Sequence, residues 1–206
     1  MSDRIPHYLL GMYVLLFVAC AIDPWDRAVW FAENLPIVLI VGLLVGLWRW
    51  HRFSSLAYLL MAFLIFMHTI GGHYTFERVP FGVVTEFFGF ERNHYDRIAH
   101  FTVGFYAYAI AELLLVRQLV RSAWVLTLFP IFSIVTVAAG YEVIEWLFAI
   151  SADPSAGIAV LGSQGDIWDA QKDMVADALG AILAVSVFYL RYRREIGMLK
   201  QLNPSN

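Results

Sequence analysis

Long apolar stretches alternate with short polar segments along the whole chain. Six of these stretches approach or exceed the length of about 20 mostly apolar residues that a helix needs to cross a bilayer. They cover approximately residues 6–22, 34–50, 53–72, 97–117, 122–150 and 168–191. The pattern predicts an all-α fold, an integral membrane bundle of about six transmembrane helices, in which residues 1–206 form a single polytopic membrane domain.

The composition agrees with a location in lipid. Of the 206 residues, 60% are hydrophobic and only 15% are charged, whereas a soluble domain has roughly a quarter of its residues charged. The chain contains one cysteine, Cys20, so that neither an intramolecular disulfide nor a cysteine-based metal site can form. No nucleic-acid partner is expected, because the basic segment RYRRE near the C-terminus is short and typical of a topology anchor.

The basic residues predict how the chain crosses the membrane, since Lys and Arg that flank the spans are retained on the cytoplasmic side. If the N-terminus is inside, most of the 14 cations fall in cytoplasmic segments, namely Arg4, Arg49, Arg52, Arg117, Arg121, Arg191, Arg193, Arg194 and Lys200. We therefore expect both termini to be cytoplasmic. Apart from Asp3, Glu112 and Glu195, the acidic residues then lie in the outer segments or in the outer halves of helices, which indicates a functional outer face.

Four predicted helices carry polar side chains at the same outer level. The third ends in HTIGGHY, the fourth begins in NHYDRIAH, the fifth contains YEVIEW near its end, and the sixth begins in GDIWDAQKDMVAD. Residues three or four apart share one face of a helix, and three stripes have this spacing: Asp96 with His100, Glu142 with Glu145, and Asp166, Asp169, Asp173 with Asp177. An ionised group that faced lipid at the bilayer centre would cost on the order of 2.5 to 3.5 kcal/mol. We therefore expect the stripes to face one another inside the bundle.

Carboxylates that are packed together in a low dielectric repel one another unless a proton or a cation neutralises them. An oxygen-rich site with imidazole nearby suits Mg²⁺, Mn²⁺, Ca²⁺ or Zn²⁺, and a bound divalent metal ion is the simplest neutraliser. The candidate ligands are Asp96, Glu142, Glu145, Asp169, Asp173 and Asp177, and the candidates for the general base or acid of catalysis are His100 and His68. The alternative is structural: intramembrane acids and histidines also serve as hydrogen-bonded packing residues, and Asp166 or Asp169 can cap the sixth helix.

The remaining polar residues at the outer level are candidates for substrate binding: His73, Tyr74, Arg78, Arg92, Asn93, Arg97, Tyr141, Gln164 and Asp166. A guanidinium presents a bidentate fork to phosphate oxygens, so the three arginines suit a lipid phosphate. The segment 73–97 is too long and too aromatic for a simple connector. It is either a lid over the site or a set of aromatic residues that hold the loop at the lipid headgroups.

The strings HTIGGHYTFERVP, RNHYDRIAHFTVGF, YEVIEW and LGSQGDIWDAQKDMVADALGA occur in this order along the chain. They resemble the YjdF-like family of bacterial inner-membrane proteins, and the resemblance covers nearly the whole sequence. It implies a multi-pass protein of the bacterial inner membrane, and the outer face predicted from the cations is then the periplasmic face. No reaction is implied, because none is established for the family.

The C-terminal half also resembles the VanZ-like superfamily. The shared pattern is an acid four residues before a histidine, an acid and an amide on the next helix, and an aspartate before a helix rich in small residues. The matching residues here are Asp96 and His100, Glu142 or Glu145, and Asp173 with Asp177 and Gly180. Asp177 stands where those proteins commonly have asparagine, which makes this site more acidic. The resemblance implies a polar site and no particular chemistry.

Three classes of function fit these features. The first is a metal-dependent hydrolase or transferase that acts on a lipid or lipid-linked substrate at the outer face. The second is a cation or proton transporter along the acidic stripe, which is less well supported because the inner half of the sixth helix, ILAVSVFYL, carries no charge and only Glu112, Tyr106 and Tyr108 would continue the path. The third is a non-catalytic protein that binds an envelope ligand. In each case the lipid bilayer is a partner.

Reporter fusions test the orientation. Green fluorescent protein fused after Asn206 should fluoresce and alkaline phosphatase at the same position should stay inactive, because the first folds in the cytoplasm and the second in the periplasm. A matched pair of fusions after Asp23, in the first predicted outer segment, should give the opposite result. Phosphatase activity at Asn206 would place the acidic helix ends in the cytoplasm and contradict an outer site.

Overall fold

The computed structural model describes residues 4–151, 154–161 and 163–202, and this part of the chain folds into helices without a strand. In chain order the helices are α1 (Ile5–Ala21), α2 (Arg27–Leu47), α3 (Ser55–Tyr74), α4 (Gly82–Phe88), α5 (Tyr95–Val103), α6 (Tyr106–Val116), α7 (Ala123–Ser151), α8 (Pro154–Leu161), α9 (Asp169–Arg191) and α10 (Arg193–Leu202). The predicted all-α class is confirmed.

Five helical segments among the described residues are long and apolar enough to cross a bilayer: α2, α3, α5 together with α6, α7 and α9. Helix α1 is also apolar but has 17 residues. These segments correspond to the six apolar stretches of the sequence, and the predicted membrane bundle is confirmed. The direction in which each helix crosses the membrane stays a prediction.

Helix α2 begins well before residue 34, where the apolar run begins. The Asp26 carboxylate accepts hydrogen bonds from the backbone N–H groups of Ala28 and Val29, at 2.8 and 3.0 Å, and thereby caps the helix. The earlier start adds Glu33 to the helix, next to Asn34, and each of these two residues is 2% exposed. The predicted start at residue 34 was wrong because it excluded Glu33, a polar residue that the fold buries.

The fourth predicted span is divided into α5 and α6. At the division the backbone N–H groups of Phe105, Ala107 and Tyr108 donate to the carbonyl groups of Thr102, Gly104 and Phe105 respectively. This i to i+3 pattern is the tighter one of a 3₁₀ turn. Helices α4, α8 and α10 lie outside the predicted spans and were not predicted from the hydrophobic pattern.

Gly104 and Gly180 bring the α5–α6 division directly against α9. A Cβ atom on Gly180 would collide with the Phe101 carbonyl oxygen, and a Cβ atom on Gly104 would collide with the backbone of Gly180 and Ala181. Glycine at both positions therefore permits backbone contact, as small residues commonly do between membrane helices. We call this pair the glycine contact.

The glycine contact sets the register between the polar residues of α5 and α9, which run parallel. His100 and Asp177 lie about one helical turn before the contact on their respective helices, and Asp96 and Asp173 lie about two turns before it. The two stripes recognised in the sequence therefore meet at matching heights.

The opposite end of the bundle is held by Glu112 of α6, which is buried. Its carboxylate accepts hydrogen bonds from the Ser54 N–H at 2.7 Å, from the Ser54 hydroxyl at 2.5 Å and from the Tyr192 hydroxyl at 3.0 Å. These bonds join the start of α3 and the end of α9 to α6. The transporter hypothesis used Glu112 to continue the path of the transported ion. In the structure, Glu112 makes hydrogen bonds that anchor neighbouring helices.

Replacing Gly180 with alanine should lower the melting temperature, because the added methyl group forces α9 away from Phe101. Overpacking of this kind costs about 1 to 3 kcal/mol. Gly140→Ala on α7 is the matched control, since no atom lies within 4 Å of the position that its Cβ would take and alanine favours a helix by about 1 kcal/mol. Thermal unfolding in detergent measures both variants. Equal melting temperatures would contradict the role of the glycine contact.

Candidate functional site

His100 of α5 lies between two carboxylates. Its Nδ1 is 3.2 Å from Oδ2 of Asp177 on α9, and its Nε2 is 3.8 Å from Oδ1 of Asp96, one turn earlier on α5. Asp177 is fully buried, and His100 is also buried. A carboxylate behind one ring nitrogen holds the imidazole in a fixed orientation, so that the other nitrogen is directed toward Asp96.

Asp173 completes a group of three potential metal ligands. One ligand atom from each of Asp96, His100 and Asp173 lies within 4.8 Å of the other two. Among the residues that the structure describes, these three are the histidine, cysteine or acidic side chains that lie close enough together to bind one metal ion. We call it the acid–histidine trio. Two of its members were predicted as metal ligands, and His100 was predicted as a catalytic residue.

Several buried carboxylate oxygens near the trio have no hydrogen-bond partner within the described ranges. They are Asp173 Oδ1, Asp177 Oδ1, Asp169 Oδ2 and Glu142 Oε1. Arg97 Nη1 donates a hydrogen bond to the Asp169 carbonyl at 2.9 Å and forms an ion pair with Asp173 Oδ1, also at 2.9 Å. Buried polar atoms are normally hydrogen-bonded, so these oxygens are suited to a cation or to protons.

Two arginines neutralise acids of the α9 stripe. Asp169 Oδ1 lies 2.7 Å from Arg92 Nη1 and 2.5 Å from Arg97 Nη2, and Arg97 also contacts Asp173. We call these four residues the arginine clamp. Arg92 and Arg97 were predicted to bind substrate and Asp169 to bind metal, whereas the structure pairs them with one another. The clamp offsets part of the negative charge that the fold buries.

Asn93 and Gln164 connect the loop before α5 with the loop before α9. The Gln164 side chain accepts a hydrogen bond from the Asn93 N–H at 3.0 Å and donates one to the Asn93 carbonyl at 2.9 Å. The Asn93 side chain donates to the carbonyl groups of Glu77 and Val79, at 2.9 and 2.8 Å. Both residues were predicted as substrate contacts, and in the structure their amides hold neighbouring loops together.

Asp166 lies just before α9. Its carboxylate accepts hydrogen bonds from the Lys172 ammonium at 2.6 Å and from the Trp168 N–H at 3.1 Å. The hydrogen bond from Lys172 is the main reason that the pKa of Asp166 is lowered from its ordinary value. These contacts order the start of the helix, which is the structural interpretation that the sequence left open for this residue.

A cavity of about 130 Å³ lies beside the trio, where α2, α3, α5, α7 and α9 meet. Apolar side chains form much of its wall. The polar lining brings together residues from four helices: His68, Asp96, His100, Tyr141, Glu145 and Asp177. A concave space with apolar walls and a few convergent polar groups is typical of a small-molecule site.

Glu33 of α2 contacts two of the lining residues. Its Oε2 accepts a hydrogen bond from the Tyr141 hydroxyl at 2.9 Å and lies 3.0 Å from His68 Nε2. One buried carboxylate thereby orients both the tyrosine and the histidine. Glu33 was missed in the sequence. The signal was Asp26, a helix cap in front of RAVWFAENLP, which would have extended α2 to include Glu33.

Three predicted substrate contacts lie apart from the cavity lining. His73 Nδ1 is 2.9 Å from the Cys20 carbonyl oxygen, and the Arg78 guanidinium is stacked 4.4 Å from the centre of the Trp25 ring. Tyr74 packs against a small apolar cluster under the outer loop. The contacts of His73 and Arg78 hold the end of α3 and the segment after it to the end of α1 and to the loop that follows α1.

The two glutamates of α7 are not members of the acid–histidine trio. Glu145 lines the cavity, and Glu142 has the buried, unpartnered oxygen described above. Of the six predicted metal ligands, the trio therefore contains Asp96 and Asp173. The metal itself stays a prediction.

Comparison with known proteins agrees with the fold. Residues 5–194 match the family described as "Predicted membrane protein (DUF2238)". The chain is similar to "Inner membrane protein YjdF" of Escherichia coli (strain K12), with 34% identity over 194 residues that cover 90% of each chain. No solved structure matches the chain, and the resemblance to the VanZ-like superfamily stays an expectation. With the apolar helices, this relative confirms the predicted location in the bacterial inner membrane. Because the family match and the relative both extend over most of the sequence, the chain belongs to the YjdF-like family of membrane proteins.

Proposed function

We propose that the protein is a divalent-metal-dependent hydrolase or transferase that acts on a lipid or lipid-linked substrate at the outer, periplasmic face of the membrane. The observation that carries the proposal is the acid–histidine trio, which lies beside a cavity that also contains a histidine oriented by a buried carboxylate. A metal site next to an independent base is the combination that metal-assisted hydrolysis requires.

In this proposal Asp96, His100 and Asp173 hold the metal ion. Two carboxylates and one imidazole suit Mg²⁺, Mn²⁺ or Zn²⁺, and three protein ligands leave positions for water and substrate. Asp177 supports the site from behind, because it accepts a hydrogen bond from His100 Nδ1 and leaves Nε2 to face the metal. Asp177 Oδ1 is buried and has no hydrogen bond within the described part of the chain, and this favours a cation beside it.

The bound metal supplies Lewis acidity, which polarises a phosphoryl or acyl oxygen and activates a water molecule. His68 is the general base: its Nε2–H donates to Glu33, which leaves Nδ1 to accept a proton from the attacking water. The bond from the water oxygen to phosphorus or carbon forms as the bond to the leaving oxygen breaks. His68 then returns the proton to that leaving oxygen, so that proton and charge balance.

The surroundings of the site favour a lipid as the substrate. The cavity lies within the membrane-spanning segments, and apolar side chains such as Ile37, Leu64 and Val103 line it. A hydrocarbon chain matches such walls, while a polar head group matches the acids and histidines. A small hydrophilic substrate would make no favourable contact with the apolar wall.

Elemental analysis of the purified protein tests the metal. The wild type should retain a divalent ion, Asp173→Asn should lose it because a ligand is removed, and Asp177→Asn should bind it about 10- to 100-fold more weakly because the support of His100 is altered. Asp166→Asn is the matched control, since Asp166 pairs with Lys172 outside the trio. A wild-type protein that binds no divalent ion in titration would contradict the proposal.

Thermal unfolding of the same proteins separates a metal site from a packing site. In chelator, Asp177→Asn should be as stable as the wild type or more stable, because a crowded negative charge is removed while the shape is kept. A divalent ion at 100 times its dissociation constant should stabilise the wild type by about 2.7 kcal/mol. Strong destabilisation of the variant in chelator, with no effect of metal on the wild type, would make these aspartates structural and the proposed function wrong.

Turnover tests the catalytic part. His68→Gln should retain the metal but lose about 10²- to 10⁴-fold in rate, because general base catalysis contributes on this scale. The assay is mass spectrometry of an inner-membrane lipid extract in proteoliposomes, with Asp166→Asn again as the control that keeps full activity. A wild type that binds metal but releases no product from the extract would favour the ligand-binding class instead.

A further inference from the structure

The cavity separates two helices that face lipid on their other sides. In the described part of the chain, α2 packs against α3 and α8, and α7 packs against α6, α8, α9 and α10. Residues of both α2 and α7 line the cavity, and the hydrogen bond from Tyr141 to Glu33, at 2.9 Å, crosses between the two helices. A gap between α2 and α7 therefore leads toward the acid–histidine trio.

Helix α8 covers the outer end of this gap, because it packs against both α2 and α7. Val160 of α8 and Phe148 of α7 pack around Val29 of α2, which is fully buried. At this end of α7 the gap is therefore covered by protein and not directly open.

The gap is open at the middle of the membrane span. Val137 lines the cavity and is nevertheless 61% exposed, so it forms part of the mouth. It is the central residue of α7, Ala123–Ser151, and so lies about 21 Å from either end of that helix. Since the hydrocarbon core of a bilayer is about 30 Å thick, the mouth faces acyl chains.

We propose that the cavity is filled sideways from the bilayer, through the gap between α2 and α7, by a lipid whose hydrocarbon chain stays in the gap. Its head group lies one turn nearer to α8 than Val137, at the level of Tyr141, where it reaches His68 and the trio. The hydrogen bond between Tyr141 and Glu33 closes this level of the gap until the head group displaces it. The chemistry at the head group rests on the proposed function, whereas the route of entry does not.

Proteoliposomes that contain a phospholipid with a diazirine in its acyl chain test the route. Light should label Ile37 and Ala138, because both line the cavity but are only 1% and 3% exposed. A chain in the gap contacts them, whereas lipid on the outer surface of the bundle does not. Mass spectrometry of the digested protein identifies the labelled residues.

Val137→Trp should fill the mouth and remove the label from Ile37 and Ala138. Val143→Trp is the matched control, since Val143 is an exposed residue of α7 outside the cavity lining, and it should leave the label unchanged. Ile40→Trp repeats the test from the α2 wall of the cavity, so that misfolding of one variant does not decide the result. Label at Val143 of the wild type with none at Ile37 or Ala138 would overturn the proposal.

The labelling requires neither metal nor turnover, which separates this inference from the proposed function. Asp173→Asn should therefore keep the label at Ile37 and Ala138 even when it has lost the metal. Labelling of a protein that never binds metal would leave the route standing and remove the enzymatic proposal. Metal binding and turnover without labelling would support the enzymatic proposal and overturn the proposed route of entry.

Discussion

The backbone contact between Gly104 and Gly180 decides where the polar groups of this bundle meet. Within a bilayer no hydrophobic force draws helices together, so close packing depends on small residues that let backbones touch. Here the glycine contact aligns α5 with α9. One turn away, His100 Nδ1 and Asp177 Oδ2 come within 3.2 Å of each other. A methyl group at either glycine would separate the helices and lengthen that distance. The geometry of the trio thus depends on two residues that carry no side-chain chemistry.

Negative charge is the second constraint, because every buried acid must be neutralised or lose its hydration without compensation. The arginine clamp offsets charge at the outer end of α9, and His100 lies between Asp96 and Asp177. Glu33 is satisfied by Tyr141 and His68 on the α2 side. Among the described residues, buried carboxylate oxygens of Asp173 in the trio and of Asp177 behind His100 still lack a hydrogen bond, although Arg97 forms an ion pair with Asp173. A divalent cation in that place would balance the site, which is why the metal and the acids belong to one proposal.

The bundle combines a tightly joined side with an open one. On the joined side, the glycine contact and the hydrogen bonds of Glu112 hold α3, α6 and α9 in place. On the open side, α2 and α7 are separated by the cavity and connected through α8 and the Tyr141 hydroxyl. Rigid helices would keep the groups of the proposed reaction in position, and a loosely closed gap would admit the proposed lipid. The joined side therefore suits the positioning of side chains at the site, and the open side suits the entry of a ligand.

The sequence by itself determined the helices and the candidate residues. In lipid every backbone group must be satisfied internally, so long apolar runs predict helices, and spacing of three or four places Asp96 with His100 on one face. Only the tertiary structure decided which acid meets which partner: Asp169 pairs with arginines, Asp173 joins the trio, and Glu33 enters from a helix whose start the apolar run concealed. The physical reason is that periodicity specifies a face of one helix. The register between two helices is set by contacts between residues far apart in the chain, which no pattern along a single helix contains.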